Sequence, residues 1–428
     1  MFGKELKKAL FSIPFLLLAA VTILMYTTQL EDYLKPGKKI VEPQPGQNYG
    51  YIASEDPDLV MPAALRHLYA EFVSNDYTTY PVGFYHRVKL GEEDQAKMAA
   101  ILAELSGTSP EELLSRMGTE AFQENAFVYR EDEDGNVVQE APAPTEANTL
   151  VPAKDLSYPQ FEKAMMRADA LLGGGSDYAP GSLSGFGTRL KTYEEAMAEY
   201  GAARDIDRFT GAHARLFADY MTLFAAWMPA FLMVSECLRD RRAKMRDLIW
   251  TRKASSLRIT LTRYFGVVLL SILPILVLAG IDTVRSASLY AGQSVDLLAY
   301  LKYALGWTLP TVMFSAAVGL FFTELTDTPI GLGVILVYWF VDLNRNIPQM
   351  SGGYAGLPLC PRHNGLLGAQ TFADHFSVLL ADRLFFFALA LLLAGASALV
   401  LEAKRKGGWV TYDSFKARFQ HRKSVSAA

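Results

Sequence analysis

Six histidines, two cysteines and 45 acidic residues are the side chains with which this chain could hold a metal or move a proton. No two histidines form an HExxH pair. His363 and His375 stand twelve residues apart without a cysteine or carboxylate pattern at zinc-ligand spacing, so they read as loop histidines bonded by their surroundings. Glu131, Asp132, Glu133 and Asp134 are clustered, but their spacing departs from a calcium loop and suits a solvated hairpin tip. Gly173-Gly174-Gly175-Ser176 lacks the Lys-Ser/Thr that follows a phosphate cradle, and Asp177 would repel an anion; it reads as a flexible loop. No GxxxxGK(S/T) occurs, so the chain carries no Walker-type ATPase. Neither a catalytic constellation nor a cofactor or metal site is visible, and an enzyme is not expected.

One stretch carries a different chemistry. Between Glu236 and Trp250, Leu238, Met245, Leu248 and Ile249 form an apolar stripe, with Arg239, Arg242 and Arg246 on another face. A helix of this kind lies at a membrane interface, half in the headgroups. Nine basic residues fall between Arg239 and Arg263. Two readings stand: the stretch only orients the protein, or it also docks a cytoplasmic partner.

Apolar spans must position that stretch. The chain is 51% hydrophobic and 20% charged, and the apolar residues collect at the N-terminus and from about residue 214 onward. A bilayer core needs roughly 20 apolar residues per helix. Candidate spans are residues 10–28, 216–238, 261–281, 297–322, 330–343 and 384–401. The first follows Lys4, Lys7 and Lys8 but offers no small-x-small cleavage site, so it reads as an uncleaved signal anchor. Asp219, Asp282, Lys302, Glu324 and Asp342 fall near span ends, where they are expected to snorkel rather than relay protons. Cys237 and Cys360 fall near opposite faces, which excludes a disulfide between them.

Basic residues decide orientation. They crowd the N-terminus, the 239–263 connection and the tail, whereas the facing loops hold little more than Arg285, Arg345, Arg362 and Arg383. The basic sides are therefore expected in the cytoplasm. Residues 30–212, with 16 basic and 31 acidic residues, then fall outside. Because the basic residues hug the spans, a nucleic-acid surface is not expected. Within 30–212, Ser109-Pro110-Glu111-Glu112 and Thr192-Tyr193-Glu194-Glu195 mark helix starts, and Phe127–Tyr129 with Val137-Val138 flank Asp134-Gly135 as a hairpin.

The expected fold is an all-α polytopic membrane protein of six transmembrane helices, with a mostly helical external domain that includes some β-hairpin between the first two. Its segments are 1–29 (cytoplasmic N-terminus and anchor), 30–212 (external domain), 213–238 (second span), 239–260 (basic cytoplasmic segment), 261–345 (third to fifth spans), 346–381 (external), 382–402 (sixth span) and 403–428 (basic tail).

This layout resembles a permease subunit of the ABC type-2 exporter family. The features that carry it are a second span ending in Glu236, the basic amphipathic stretch, and Lys253-Ala254-Ser255-Ser256-Leu257-Arg258 leading to Arg263-Tyr264-Phe265. The fourth span, with Pro310, ends in Gly319-Leu320-Phe321-Phe322-Thr323-Glu324, and a glycine-bearing fifth span follows. The Gly- and Pro-rich 346–381 region resembles the family's re-entrant hairpin. The resemblance implies an exporter in a bacterial plasma membrane that works with two cytoplasmic ATPase subunits and a second permease, either a copy or a homologue. ATP would bind the partner subunit, leaving this chain without a cofactor. Glu236, Arg239, Arg241, Arg242, Lys244, Arg246, Leu248 and Trp250 would couple to the ATPase. The large first external loop departs from many members of the family. A membrane-anchored sensor or mechanotransmission protein with an external ligand-binding domain is the alternative.

Overall fold

The computed structural model describes residues 2–81, 85–117, 128–131, 137–140, 150–243, 253–346, 353–354 and 356–407, and the chain is mostly helical. It divides into two compact units, Gln44–Ala196 and the union of Met1–Pro43 with Met197–Ala428. The smaller unit is narrower than the expected 30–212, because residues 30–43 and 197–212 pack with the apolar helices.

Helix α1 (Phe2–Leu10) carries the first basic residues, and α2 (Ile13–Gln29) is the first apolar helix. They separate at Ser12, whose hydroxyl accepts the Phe15 amide at 3.3 Å just ahead of Pro14. Phe15, Leu18, Thr22 and Tyr26 of α2 are buried at helical spacing, while Leu16, Leu17, Ile23 and Leu24 stay exposed.

The smaller unit has no cysteine, so apolar packing holds it. Strand β1 (Tyr51–Ala53) leads to α3 (Pro57–Ser74), and β2 (Tyr77–Thr79) pairs antiparallel with β3 (His86–Val88). Helices α4 (Glu92–Ser106) and α5 (Pro110–Ser115) follow, the latter capped by the Ser109 hydroxyl on the Glu112 amide at 3.3 Å. Strands β4 (Val128–Glu131) and β5 (Val137–Glu140) form the expected hairpin. Its tip, with Asp132, Glu133 and Asp134, lies outside the described residues. Helix α6 (Tyr158–Leu171) precedes β6 (Thr188–Leu190), which pairs antiparallel with β1. Leu65, Leu68, Phe72, Met98, Leu102 and Phe161 from α3, α4 and α6 form the core.

The triple glycine differs from the flexible loop expected. All three glycines have φ between 77° and 93°, a region open to glycine, and Asp169 takes both the Ser176 amide (2.8 Å) and its hydroxyl (2.7 Å). The Gly175 carbonyl accepts the Tyr80 amide at 2.7 Å, so the loop is pinned at both ends.

Helix α7 (Tyr193–Asp205) opens, within the smaller unit, on the expected reciprocal box, Thr192 amide to Glu195 carboxylate (2.9 Å) and Glu195 amide to Thr192 hydroxyl (3.2 Å), and runs on into the larger unit. Helices α8 (Thr210–Ala225) and α9 (Met228–Arg242) form one rod with a turn before Pro229. Then come α10 (Ser256–Leu289), the short α11 (Ala299–Tyr303), a π-helical turn at Ala304–Thr308, and α12 (Leu309–Thr326). Helices α13 (Ile330–Asn346), α14 (Ala369–Asp374) and α15 (Phe376–Arg405) complete it.

Four of these rods are long and apolar enough to cross a membrane: Thr210–Arg239, Ser256–Leu289, Ala299–Thr326 and Phe376–Arg405. Ile13–Gln29 and Ile330–Asn344 are apolar but shorter. The second and last of these rods outrun the expected 261–281 and 384–401 because helix continues through polar caps that a hydropathy window leaves out. The Ser255 hydroxyl caps α10 on the Arg258 amide, for example. Exposed Leu269, Leu273, Val277, Ile281 and Val284 run down one face of α10, and Val334, Val337 and Val341 do so on α13. An apolar outer face over a buried core that holds Asp219, Asp282 and Thr311 is the inverse of a water-soluble bundle and suits hydrocarbon as solvent.

Helix α12 is the hub, packed against α9, α10, α13 and α15. The approach is close because small residues meet. A Cβ on Gly319 would lie 2.9 Å from the Ala230 Cα, and one on Gly331 would lie 3.0 Å from the Val318 carbonyl oxygen. Gly333, two residues past Gly331, has no atom within 4 Å of a Cβ. Gly319→Val is therefore expected to cost about 1–3 kcal/mol of stability in detergent, as overpacking does, and Gly333→Val close to none. Thermal unfolding of the two variants beside the wild type checks this contrast.

Candidate functional site

Polar side chains collect at the two opposite ends of the helical unit. At one end the last turn of α9, the starts of α10, and the ends of α1, α12 and α15 meet. The buried carboxylate of Glu236 pairs with Arg239, whose guanidinium also donates to the Lys8 carbonyl at 3.4 Å. Arg263 of α10 reaches Cys237 Sγ at 3.7 Å and Glu324 of α12 at 3.6 Å. Lys404 of α15, with a side chain 0% exposed, pairs with Asp327 at 3.2 Å and donates to the Glu324 carbonyl. Ser256 donates to Glu402 at 2.5 Å, and Arg405 holds the Ala254 carbonyl at 2.9 Å and the Ser256 hydroxyl at 3.0 Å. Both flanks of the 243–255 connection are thus tied into the ends of α1, α12 and α15.

Of the eight residues expected to couple, Glu236 and Arg239 turn inward into this network, and Arg242 is exposed. The side chain of Arg241, and Lys244, Arg246, Leu248 and Trp250, lie outside the described residues. Sequence reading passed over Glu324, Asp327 and Lys404 as parts of the same place. Their one signal is opposite charge at neighbouring span ends, which spacing along the chain does not reveal.

At the other end, residues 356–368 run without regular helix against α8, α12, α13 and α15. Amides and carbonyls buried there need partners, since each unpaired one is costly. Asp219 of α8 accepts the His363 amide at 3.0 Å and the Asn364 amide at 2.7 Å, and pairs with Arg362 at 3.0 Å. Asp342 of α13 accepts the Cys360 amide at 2.8 Å. Thr311 of α12 donates to the Leu359 carbonyl at 2.8 Å. Arg383 of α15 donates to Thr311 Oγ1 at 2.8 Å, to the Trp307 carbonyl at 3.3 Å and to the Pro358 carbonyl, and pairs with Asp382. Arg215 of α8 grips Asp207 through two bonds of 2.8 and 2.9 Å and donates to the Leu366 carbonyl at 3.3 Å.

Asp219, Asp282 and Asp342 therefore do not snorkel as expected: all three are buried. Asp282 bonds the Tyr26 hydroxyl, which Arg285 also reaches at 2.7 Å. Lys302 does stay exposed, paired with Asp296 at 2.6 Å. The ring of His363 is bonded through both nitrogens, to Tyr354 and to the Leu367 carbonyl at 2.7 Å, as a loop histidine should be. Cys237 and Cys360 are both buried and share no disulfide. The arrangement is a clamp that satisfies the chain's own backbone, and it holds no nucleophile with a base beside it.

In the smaller unit, Tyr178 joins His67 (Nδ1 at 2.7 Å) to Glu71 (2.6 Å), and Glu71 also accepts the Thr78 amide at 2.8 Å. Burial pushes the Glu71 carboxyl above its ordinary value, against the lowering pull of the Tyr178 hydroxyl and the His67 ring. Burial raises Asp177 as well, with His67 again opposing. Among the described residues, no group of three His, Cys, Asp or Glu side chains could hold a metal ion. The chain matches no family model, no curated protein and no solved structure.

Two outcomes follow from this geometry. Asp219→Leu leaves the His363 and Asn364 amides without their acceptor and takes the carboxylate from Arg362, which keeps Asn364 Oδ1 at 2.8 Å, so it is expected to cost about 1–3 kcal/mol for each orphaned amide. It should also expose the Cys360 thiol to maleimide in a Cys237→Ser background, where the parent resists labelling. For Glu71 the folded value lies above the unfolded one, so the folded state holds more protons just above the ordinary carboxylate range. Stability from this group is full at low pH and is lost as pH rises through that window. Glu71→Gln should flatten the fall in thermal stability as pH rises above the ordinary carboxylate range.

Proposed function

We propose that the chain is the permease subunit of an ATP-driven exporter, embedded in a bacterial plasma membrane through six helices. Four are the long rods, and α2 and α13, each roughly 25 Å long, are the others. Both chain ends and the 239–260 segment would be cytoplasmic, as the positive-inside rule requires, and Gln44–Ala196 would be external. The observation that carries the reading is the network at the basic end. A connection rich in arginine leaves α9 beside Glu236 and enters α10 at Ser256, with each flank bonded to the ends of other rods. A force applied to that connection by a cytoplasmic subunit would act on α9, α10, α12 and α15 together. The irregular 356–368 segment before the last helix supports the same reading, since it stands where the family places its re-entrant hairpin. ATP would be hydrolysed by the partner subunits, paired with a second permease chain.

The sensor or mechanotransmission reading draws its support from the count of four long rods. It leaves the two shorter apolar helices and the clamped 356–368 segment without a role.

The test uses a charge that the described fold leaves exposed. Arg239 holds Glu236, so reversing it would damage the membrane unit itself. Arg242 is exposed, and Arg242→Glu should weaken co-purification with a nucleotide-binding ATPase by about tenfold, about 1.4 kcal/mol, with thermal stability unchanged. Wild-type chain that brings down no such ATPase from its native membrane would sink the proposal.

A further inference from the structure

The basic end of the helical unit carries more positive charge than its own acids answer. Each described acid there is already bonded: Glu236 to Arg239, Glu324 to Arg263, Asp327 to Lys404, and Glu402 to Ser256 and Lys406. Lys7 of α1, Arg242 of α9, and Lys253 and Arg258 at the start of α10 are exposed and make no ion pair among the described residues. We infer that this end binds the phosphate groups of anionic lipids in the leaflet it meets, with Lys7, Lys253 and Arg258 as contacting cations.

Helix length sets the depth. At 1.5 Å per residue, the 34 residues of α10 span about 51 Å. A hydrocarbon core is about 30 Å thick, so the ends of this rod stand among headgroups. Arg258 lies in its first turn and Lys253 just ahead of it.

The cations also stand beside exposed apolar side chains. Phe11 and Ile13, 75% and 73% exposed, flank Ser12 where α1 breaks from α2, and Leu257, 53% exposed, precedes Arg258. Leu6, Ala9 and Leu10 pack inward against the core, which leaves Lys7 on the outer side of α1. An exposed ring beside an exposed ammonium is costly in water and suits the boundary of a leaflet. There the ring enters hydrocarbon while the charge stays at the phosphate.

The sign of the surplus selects the lipid. A zwitterionic headgroup brings its own cation, whereas an anionic one brings only the charge that this end lacks. Helix α1 packs against α10, so the cations of both act on one stretch of leaflet. Arg242 and Lys253 stand on the two flanks of the arginine-rich connection, and an anionic leaflet would hold both flanks at the bilayer surface. Binding of this kind requires only that the apolar rods insert, as their length and composition suit.

The test takes the full chain in phosphatidylcholine liposomes with acyl-chain spin-labelled phosphatidylglycerol or phosphatidylcholine as probe. Electron paramagnetic resonance reads the share of each probe that the protein immobilises. The wild type should favour the anionic probe at least about threefold at low salt and lose that preference at about 1 M NaCl. Lys7→Gln, Lys253→Gln and Arg258→Gln together should bring the ratio close to one. The charge-keeping set Lys7→Arg, Lys253→Arg and Arg258→Lys should retain it. Equal immobilisation of the two probes by the wild type, a preference indifferent to salt, or one that survives the glutamine set would each overturn the inference. The wild-type comparison needs no variant, so it decides even if the glutamine set fails to fold. Arg242 is left in place and no ATPase is present, so failure here and failure of the exporter reading are separate results.

Discussion

A stretch of backbone without helix can enter an apolar bundle only if its amides and carbonyls are bonded inside the protein. Residues 356–368 impose that requirement here, and much of the bundle's interior chemistry answers it. Asp219, Asp342, Thr311 and Arg383 come from four different helices, and each meets a backbone group of this one segment. Buried charges in an apolar bundle commonly mark a transport path or a proton relay. Here their partners are amides, carbonyls and arginines of the same chain, which makes them a clamp.

The clamp and the basic network are joined by continuous rods. Helix α12 runs from Thr311 in the clamp toward Asp327 in the network, and α15 runs from Arg383 to Lys404. Close packing of Gly319 on Ala230 ties α12 to α9, which carries Glu236 at its end. In the proposed exporter, a push on the arginine-rich connection would be carried as displacement of whole helices, since packed helices slide or rotate as bodies rather than bend.

Features that depend on neighbours in sequence were legible from the residues. The Ser109 cap, the Thr192–Glu195 box and the hairpin around Asp134-Gly135 all rest on contacts within about ten positions, and each formed as read. The apolar rods were legible too, although their ends were not, because hydropathy marks the greasy middle of a helix and not its caps. Asp219 was misread because its partners sit some 144 positions away, and nothing in a local window distinguishes a clamped aspartate from a snorkelling one. Glu236 and Arg239 read as an exposed docking face, yet their i,i+3 spacing is also that of a helical ion pair, which is what they make. The triple glycine read as loose because composition reports conformational freedom, whereas the hold of Asp169 on Ser176 is a matter of folded geometry.

Orientation is the claim on which the functional account turns: the arginine-rich end faces the cytoplasm and Gln44–Ala196 faces outward. Single cysteines at exposed Glu92 and Lys253, in a chain with Cys237 and Cys360 changed to Ser, test it directly with a membrane-impermeant maleimide. The account predicts that Glu92→Cys is labelled in intact cells and Lys253→Cys only after permeabilisation. Labelling of Lys253→Cys in intact cells, with Glu92→Cys protected, would contradict it.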